Sequence, residues 1–345
     1  MNKWYIDAGP ESDVVLSCRI RLARNFSDMP YPHRSNPDLR RLVMERTVEA
    51  VMQGNSGMSQ QFRFVDFTHL PQVERQVLVE KHLVSKELAE SRIECGAIIS
   101  ASENISIMIN EEDHLRIQCL GAGLQLETLW DLADRIDNLL SEQIDFAFDP
   151  KIGYLTCCPT NFGTAIRASA MLHLPALVMT GYIKGLLESV TKLGVAVRGM
   201  FGENTEATGS IFQISNQVTL GRSEGEIISG VRNLANQIVA QERSLRQELL
   251  EQNGIRLEDR IHRSYGILRN ARILSTEEAL QRLSDVRLGV NLGLLPGIGE
   301  TGLNGLMLDI QPGNIQQRLG KAMKPDDRDT KRAELVRAAM RIPTL

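Results

Sequence analysis

Several arginines in this chain stand where a phosphate could be gripped. Residues 14–22, VVLSCRIRL, alternate: Leu16, Cys18, Ile20 and Leu22 share one face of a strand, and Ser17, Arg19 and Arg21 share the other. Arg116 lies in a second alternating run, and Arg167 and Arg198 lie at the ends or on the polar faces of further predicted elements. A guanidinium offers its N–H donors as a rigid fork that matches phosphate oxygens. Phosphoryl transfer from ATP is chiefly positioning and charge neutralisation, so converging arginines can do the work of a P-loop. No GxxxxGK[ST] occurs in the chain. Taken singly, each arginine reads as a solvated surface residue, and the chemistry requires that they converge.

The elements that must bring them together can be read in outline. NISIMIN (104–110) and LRIQCL (115–120) predict a hairpin whose polar turn carries Glu111, Glu112, Asp113 and His114. FRFVDF and IECGAIISA add strands, and the segment from Pro71 to Glu90 reads as one or two short helices. GYLTCC predicts a strand entering the turn PTNFGT, where Thr160 or Asn161 would cap a helix over GTAIRASAMLHL that carries Arg167 in its early turns. VAVRG and IFQISNQVTL predict strands flanking a glycine-rich loop near 199–209. Ser223 with Glu226 forms a capping box that opens a long helix ending at Asn253 and Gly254. Beyond it the periodicity is helical throughout. The expected fold class is α+β: a mainly antiparallel sheet flanked by helices in residues 1–253, then an all-α unit in 254–345.

Composition narrows the function. The 345 residues are 42% hydrophobic and 24% charged, with no apolar run long enough to span a bilayer and no secretory leader at MNKWYIDAGPESD. The expectation is a cytoplasmic protein with no membrane partner. A formal charge of −4 gives no general attraction to nucleic acid. Five cysteines without CxxC spacing argue against a disulfide framework or a zinc site, and no protein metal ligand is expected.

The segments SCRIRLARN, NEEDHLRI, CPTNFGTAIRAS and RGMFGENTEA, in that order, resemble the motifs of the phosphagen (guanidino) kinases over about residues 14–250. The resemblance implies that Ser17, Cys18, Arg19, Ile20, Arg21, Arg116, Arg167, Ala168, Ser169, Ala170, Met171, Arg198, Gly199, Met200, Phe201, Gly202 and Glu203 form the ATP site, with His82 packed on the adenine. It also implies that Glu112 and Glu203 hold the substrate guanidinium, that Cys158 lies beside it, and that magnesium is held mainly through the nucleotide phosphates. A guanidinium has a pKa above ~12 and an unperturbed Glu one near ~4.3, so the carboxylates would first orient it and accept its proton only late. Cys18 stands in place of a family serine and Phe162 in place of a leucine; neither change removes a charge.

Metabolite kinases of the family carry a helical domain before the first arginine strand, which here starts at residue 14, implying a more open guanidinium site. GLNGLMLDIQPGNIQ and RDTKRA resemble the bacterial protein arginine kinases within that family. On that resemblance, Arg328, Asp329, Arg332 and Ala333 form a phosphoarginine pocket, with Arg328 and Arg332 one turn apart on a shared helix face. The substrates would be proteins with accessible arginine. The implied partners are an activator protein, a heat-shock repressor and a Clp-type unfoldase and protease in stress response, and the chain would form a homodimer. A kinase of free arginine or another guanidino metabolite, and a non-catalytic phosphoarginine-binding adaptor, are the alternatives. GIGETG at 297–302 fits GxGxxG but follows no clear strand, so it reads as a helix connection.

Overall fold

The structure is a computed structural model describing residues 3–52, 61–192, 194–199 and 208–341. In chain order the elements are β1 (Val15–Arg24), α1 (Pro37–Met52), β2 (Phe62–Asp66), α2 (Gln72–Glu80), α3 (Lys86–Glu90), β3 (Gly96–Ser100), β4 (Ile105–Ile109) and β5 (Leu115–Ala122). There follow α4 (Leu126–Ser141), β6 (Phe148–Asp149), β7 (Gly153–Tyr154), β8 (Ile166–His173), α5 (Pro175–Met179), α6 (Ile183–Lys192), β9 (Val195–Gly199) and β10 (Ile211–Asn216). The rest is helical: α7 (Glu224–Asn270), α8 (Thr276–Asn291), α9 (Glu300–Asp309), α10 (Pro312–Leu319) and α11 (Pro325–Ala339).

Eight strands form one antiparallel sheet in the order β2-β3-β4-β5-β1-β8-β10-β9. The alternation of β1 is what places it at the centre. Cys18, Ile20 and Leu22 enter a core shared with α1, α4 and α7, and Ser17, Arg19 and Arg21 face the other way. A smaller core under α2 and α3, built on Phe67, Leu83 and Leu88, covers part of that second face.

Residues 166–173 are a strand, not the expected helix. Alanine-rich composition favours a helix locally, but β1 and β10 offer paired edges on both sides. Ile166, Ala168, Ala170 and Leu172 are buried at period two, so tertiary pairing overrides propensity. The preceding CPTN segment is a single 3-10 turn, Pro159–Asn161, and caps no helix. Gly163 makes this entry possible: its φ is 101°, and a Cβ there would lie 2.8 Å from the Thr219 carbonyl oxygen.

The capping box at Ser223 and Glu226 is present. The helix it opens does not end at Asn253 but kinks there, at φ −137° and ψ 32°, and resumes to Asn270. Asn followed by Gly is a weak helical pair, so the bend falls where propensity is lowest. The first half of α7 buries Ile227, Val231 and Ile238 against the sheet. The second half buries Leu257, Ile261 and Leu268 in a separate core with α8, α9 and α11. One helix thus enters both cores.

Candidate active site

Strand register assembles the arginines. Arg21 lies directly opposite Arg167 on one side and Gln118 on the other; Arg19 lies opposite Ser169 and Leu120, Arg116 opposite Ala23, and Arg198 opposite Gln213. Like charges facing across a ladder repel. Here they line a cavity of about 850 Å³ with Arg19, Arg21, Arg116, Arg167 and Arg198 in its wall, fronted by Glu111 and Glu112.

Arg19 and Arg21 form no salt bridge among the described residues. Arg19 donates to Gln118 Oε1 at 3.3 Å and Gln213 Oε1 at 3.4 Å, both neutral partners. Arg21 Nε is buried and finds no hydrogen-bond partner among the described residues. Burial first, then the neighbouring guanidiniums, lower Arg19 to about 10 and Arg21 well below its ordinary value. An anion among these groups would relieve the repulsion and supply the missing acceptors. His82 lines the same wall, and burial, reinforced by Arg19, lowers its pKa to about 4, so the ring is neutral near pH 7.

The carboxylates divide into two roles. Glu111 has a side chain only 4% exposed, and accepts from Arg116 Nη1 at 2.8 Å and from the Ser85 hydroxyl at 2.8 Å. Glu112 is 42% exposed and holds the same arginine more loosely, at 3.2 Å. Burial raises the Glu112 carboxyl above the usual range, with Arg116 opposing that shift. Glu111 therefore anchors Arg116, and Glu112 is the carboxylate a cation entering the cavity can reach.

The turn that presents Glu112 is held from below. Asn110 adopts φ 58°, which asparagine tolerates, and its side chain donates to the Arg40 and Glu94 carbonyls. Asp113 accepts from Asn25 Nδ2 and from the Cys157 backbone N–H, both at 2.7 Å. That one buried carboxylate joins the Glu112 turn to the Cys158 turn. His114 Nδ1 accepts from the Phe26 N–H at 3.1 Å, so its proton sits on Nε2 and is donated to the Pro30 carbonyl at 3.0 Å. Cys158 reaches the cavity, with Sγ 2.9 Å from Thr160 Oγ1. All five cysteines are free.

The five arginines singled out in the sequence line one cavity, in company that was not singled out with them. Cys18, Ile20, Ala168 and Ala170 send their side chains into the core, on the face opposite the cavity. The Cys18 thiol is pushed up to about 12 by burial and accepts from the Gln125 N–H, so no side-chain role at a nucleotide falls to it. Ser17, Ser169 and Met171 do share the cavity-side face, around a small hollow next to His82 and Arg19. Glu203, with Met200, Phe201 and Gly202, lies outside the described residues; Gly199 ends β9. Glu111, Gln118, Gln213, Asn25 and Asp113 were not singled out as site residues. For Gln118 and Gln213 the period-two alternation of their strands was the available signal.

In the C-terminal unit the two arginines of RDTKRA, one turn apart on α11, differ in burial. Arg332 is 1% exposed; Nε donates to the Ile310 carbonyl at 2.8 Å, Nη1 to the Leu274 carbonyl at 2.7 Å, and Nη1 also pairs with Asp329. Ala333 is buried in the helical core, and Arg328 donates to the Met323 carbonyl at 3.2 Å. Arg332 is thus a cross-link between helices, and only Arg328 and Asp329 remain accessible to a ligand. Among the described residues, no helix is long and apolar enough to cross a membrane.

Residues 43–245 match the family described as ATP:guanido phosphotransferase, C-terminal catalytic domain, and residues 254–344 match the Protein-arginine kinase McsB C-terminal domain. The protein-arginine kinase of Caldanaerobacter subterraneus subsp. tengcongensis is 49% identical over 326 residues, covering 94% of this chain and 96% of that one. That of Geobacillus stearothermophilus is 45% identical over 344 residues, covering 100% and 95%. Among solved structures, a lombricine kinase has a TM-score of 0.60 at 24% identity, covering 69% of this chain and 68% of that one. The duplicated taurocyamine kinase from Schistosoma mansoni, with bound transition state analog components, has a TM-score of 0.60 at 24% identity over 72% and 37% of the two chains; both likenesses concern the fold. The arginine-walled cavity, the sheet that builds it and these full-length matches have one reading: the chain belongs to the ATP:guanido phosphotransferase family, among the protein-arginine kinases.

Proposed function

We propose that this phosphotransferase moves the γ-phosphoryl group of MgATP to the guanidinium of arginine side chains in proteins. The observation that carries the reading is the cavity itself, five arginines around a volume of about 850 Å³ with Glu112 exposed at its edge. The cavity's donors are guanidinium, ammonium, amide and hydroxyl groups, which fit phosphate oxygens, so magnesium fits as cargo of the nucleotide, where it would neutralise phosphate charge.

Glu112 pairs with the incoming guanidinium and aligns one nitrogen with the γ-phosphorus. The N–P bond forms as the P–O bond to the β-phosphate breaks, and the nitrogen, acidified by that bond, passes its proton to Glu112. The products are phosphoarginine, ADP and a proton. The protein acceptor is supported by the names and full-length similarity of the relatives at 45% and 49% identity. Incubation with MgATP and either free arginine or an unfolded basic protein tests it. Acid-labile N-phosphorylation of the protein is expected; phosphorylation of the free amino acid alone would sink the reading.

A further inference from the structure

One buried carboxylate is not used by phosphoryl transfer. Glu80, the last residue of α2, is 6% exposed; it accepts from Gln76 Nε2 of its own helix at 2.9 Å, and its other partners lie in the C-terminal unit. The Gly313 N–H donates to Oε1 at 2.7 Å; the Asn314 N–H and side-chain amide donate to Oε2 at 2.9 and 2.8 Å. Helix α10 has no side-chain cap of its own from Gln311, so Glu80 caps it from another element. Gly313 permits the approach: a Cβ there would lie 2.9 Å from Oε2 and 3.0 Å from Gln76 Cγ. A desolvated carboxylate costs several kcal/mol and persists only where its hydrogen bonds offset that cost.

The other end of this link is the cavity wall. Two residues after Glu80 the chain turns left-handed at His82, φ 55°, closed by Leu83 N–H donating to the Leu78 carbonyl at 2.9 Å. The His82 carbonyl accepts from Gln118 Nε2 at 2.7 Å, and Gln118 Oε1 accepts from Arg19 at 3.3 Å. A chain of contacts therefore runs from the N-terminus of α10, through Glu80 and the His82 turn, to an arginine of the cavity.

We propose that Glu80 is a positioning residue through which the C-terminal helical unit sets the affinity of the cavity for nucleotide. The proposal rests on the ATP reading of the cavity. When the cap is intact, the His82 turn and Gln118 hold the nucleotide-competent arrangement; when it is loosened, only a fraction of molecules holds it, and apparent affinity falls by that fraction. Chemistry at Glu112 is untouched once nucleotide is bound.

Two variants approach the link from its two sides. Glu80→Gln keeps the shape but turns one acceptor into a donor facing an N–H, and Gly313→Ala crowds the carboxylate from α10. Trp4, whose ring centroid is 6.3 Å from that of His82, reports on the turn by fluorescence in a Trp130→Phe background. Each variant is expected to weaken ADP binding and raise KM for ATP by roughly tenfold with kcat within about twofold. ADP affinity equal to that of the unsubstituted protein in both variants would overturn the proposal. So would a fall in kcat that tracks loss of melting temperature with KM unchanged, because that assigns Glu80 to the fold alone. Failure of the unsubstituted protein to bind ADP would instead overturn the ATP reading, and this inference with it.

Discussion

At the scale of the residue, adjacent glutamates are given different work by burial. Glu111 is locked to Arg116 and Ser85, and Glu112 meets the cavity with a carboxyl whose pKa is raised by burial. A base with a raised pKa is protonated at higher pH than an ordinary glutamate. The acid limb of kcat/KM against pH, which reports the free enzyme, is therefore expected above the usual carboxylate range, with activity gained as pH rises through it. Glu112→Gln should lower kcat by roughly 10²-fold or more and abolish that limb, while its exposure keeps the fold intact. A variant of unchanged kcat in a steady-state phosphorylation assay would remove Glu112 from the reaction. The four motifs made this carboxylate legible in the sequence. The Asn25–Asp113–Cys157 brace beneath it was not, because its members are 88 and 44 residues apart and no local pattern joins them.

At the scale of the element, the sheet's register gathers like charge that no local energy favours. The alternation of β1 was legible because one face is wholly apolar, whereas β8 was misread because alanine satisfies a helix and a crowded central strand equally well. The pairing that results sets Arg21 opposite Arg167, and the buried Arg21 Nε finds no hydrogen-bond partner among the described residues. Replacing such a group by an apolar side chain of similar length is neutral or stabilising by ~1–4 kcal/mol. Arg21→Met should thus raise the melting temperature of the ligand-free protein and lose the further rise that ATP gives the unsubstituted one. Calorimetry with and without MgATP checks both; a lower melting temperature without nucleotide would mean that Arg21 supports the fold. The opposed signs are what a site kept for binding at the expense of stability produces.

At the scale of the molecule, the C-terminal helices are bound to the catalytic sheet by more than a connector. Helix α7 enters both cores, Arg287 donates to the Ser12 carbonyl at 2.9 Å, and Glu80 caps α10. The coherence of the C-terminal unit depends in turn on Arg332, which joins α11 to the end of α9 and to the connection before α8. RDTKRA in the sequence gives both of its arginines the same helical face, but periodicity cannot say which of them reaches inward. Their substitutions should therefore differ. Arg332→Ala leaves the Ile310 and Leu274 carbonyls without these donors, a cost of ~1–3 kcal/mol for each buried group left unsatisfied, and should lower the melting temperature by several degrees. Arg328→Ala removes one partly buried bond to Met323 and should stay within ~0.5 kcal/mol of the unsubstituted protein. If phosphoarginine binds at this helix, Arg328→Ala loses it without loss of stability, and Arg332→Ala loses both together. Thermal unfolding alongside a phosphoarginine titration separates the two. An Arg332→Ala protein that melts normally and fails only to bind would restore Arg332 to the ligand and overturn its role as a cross-link.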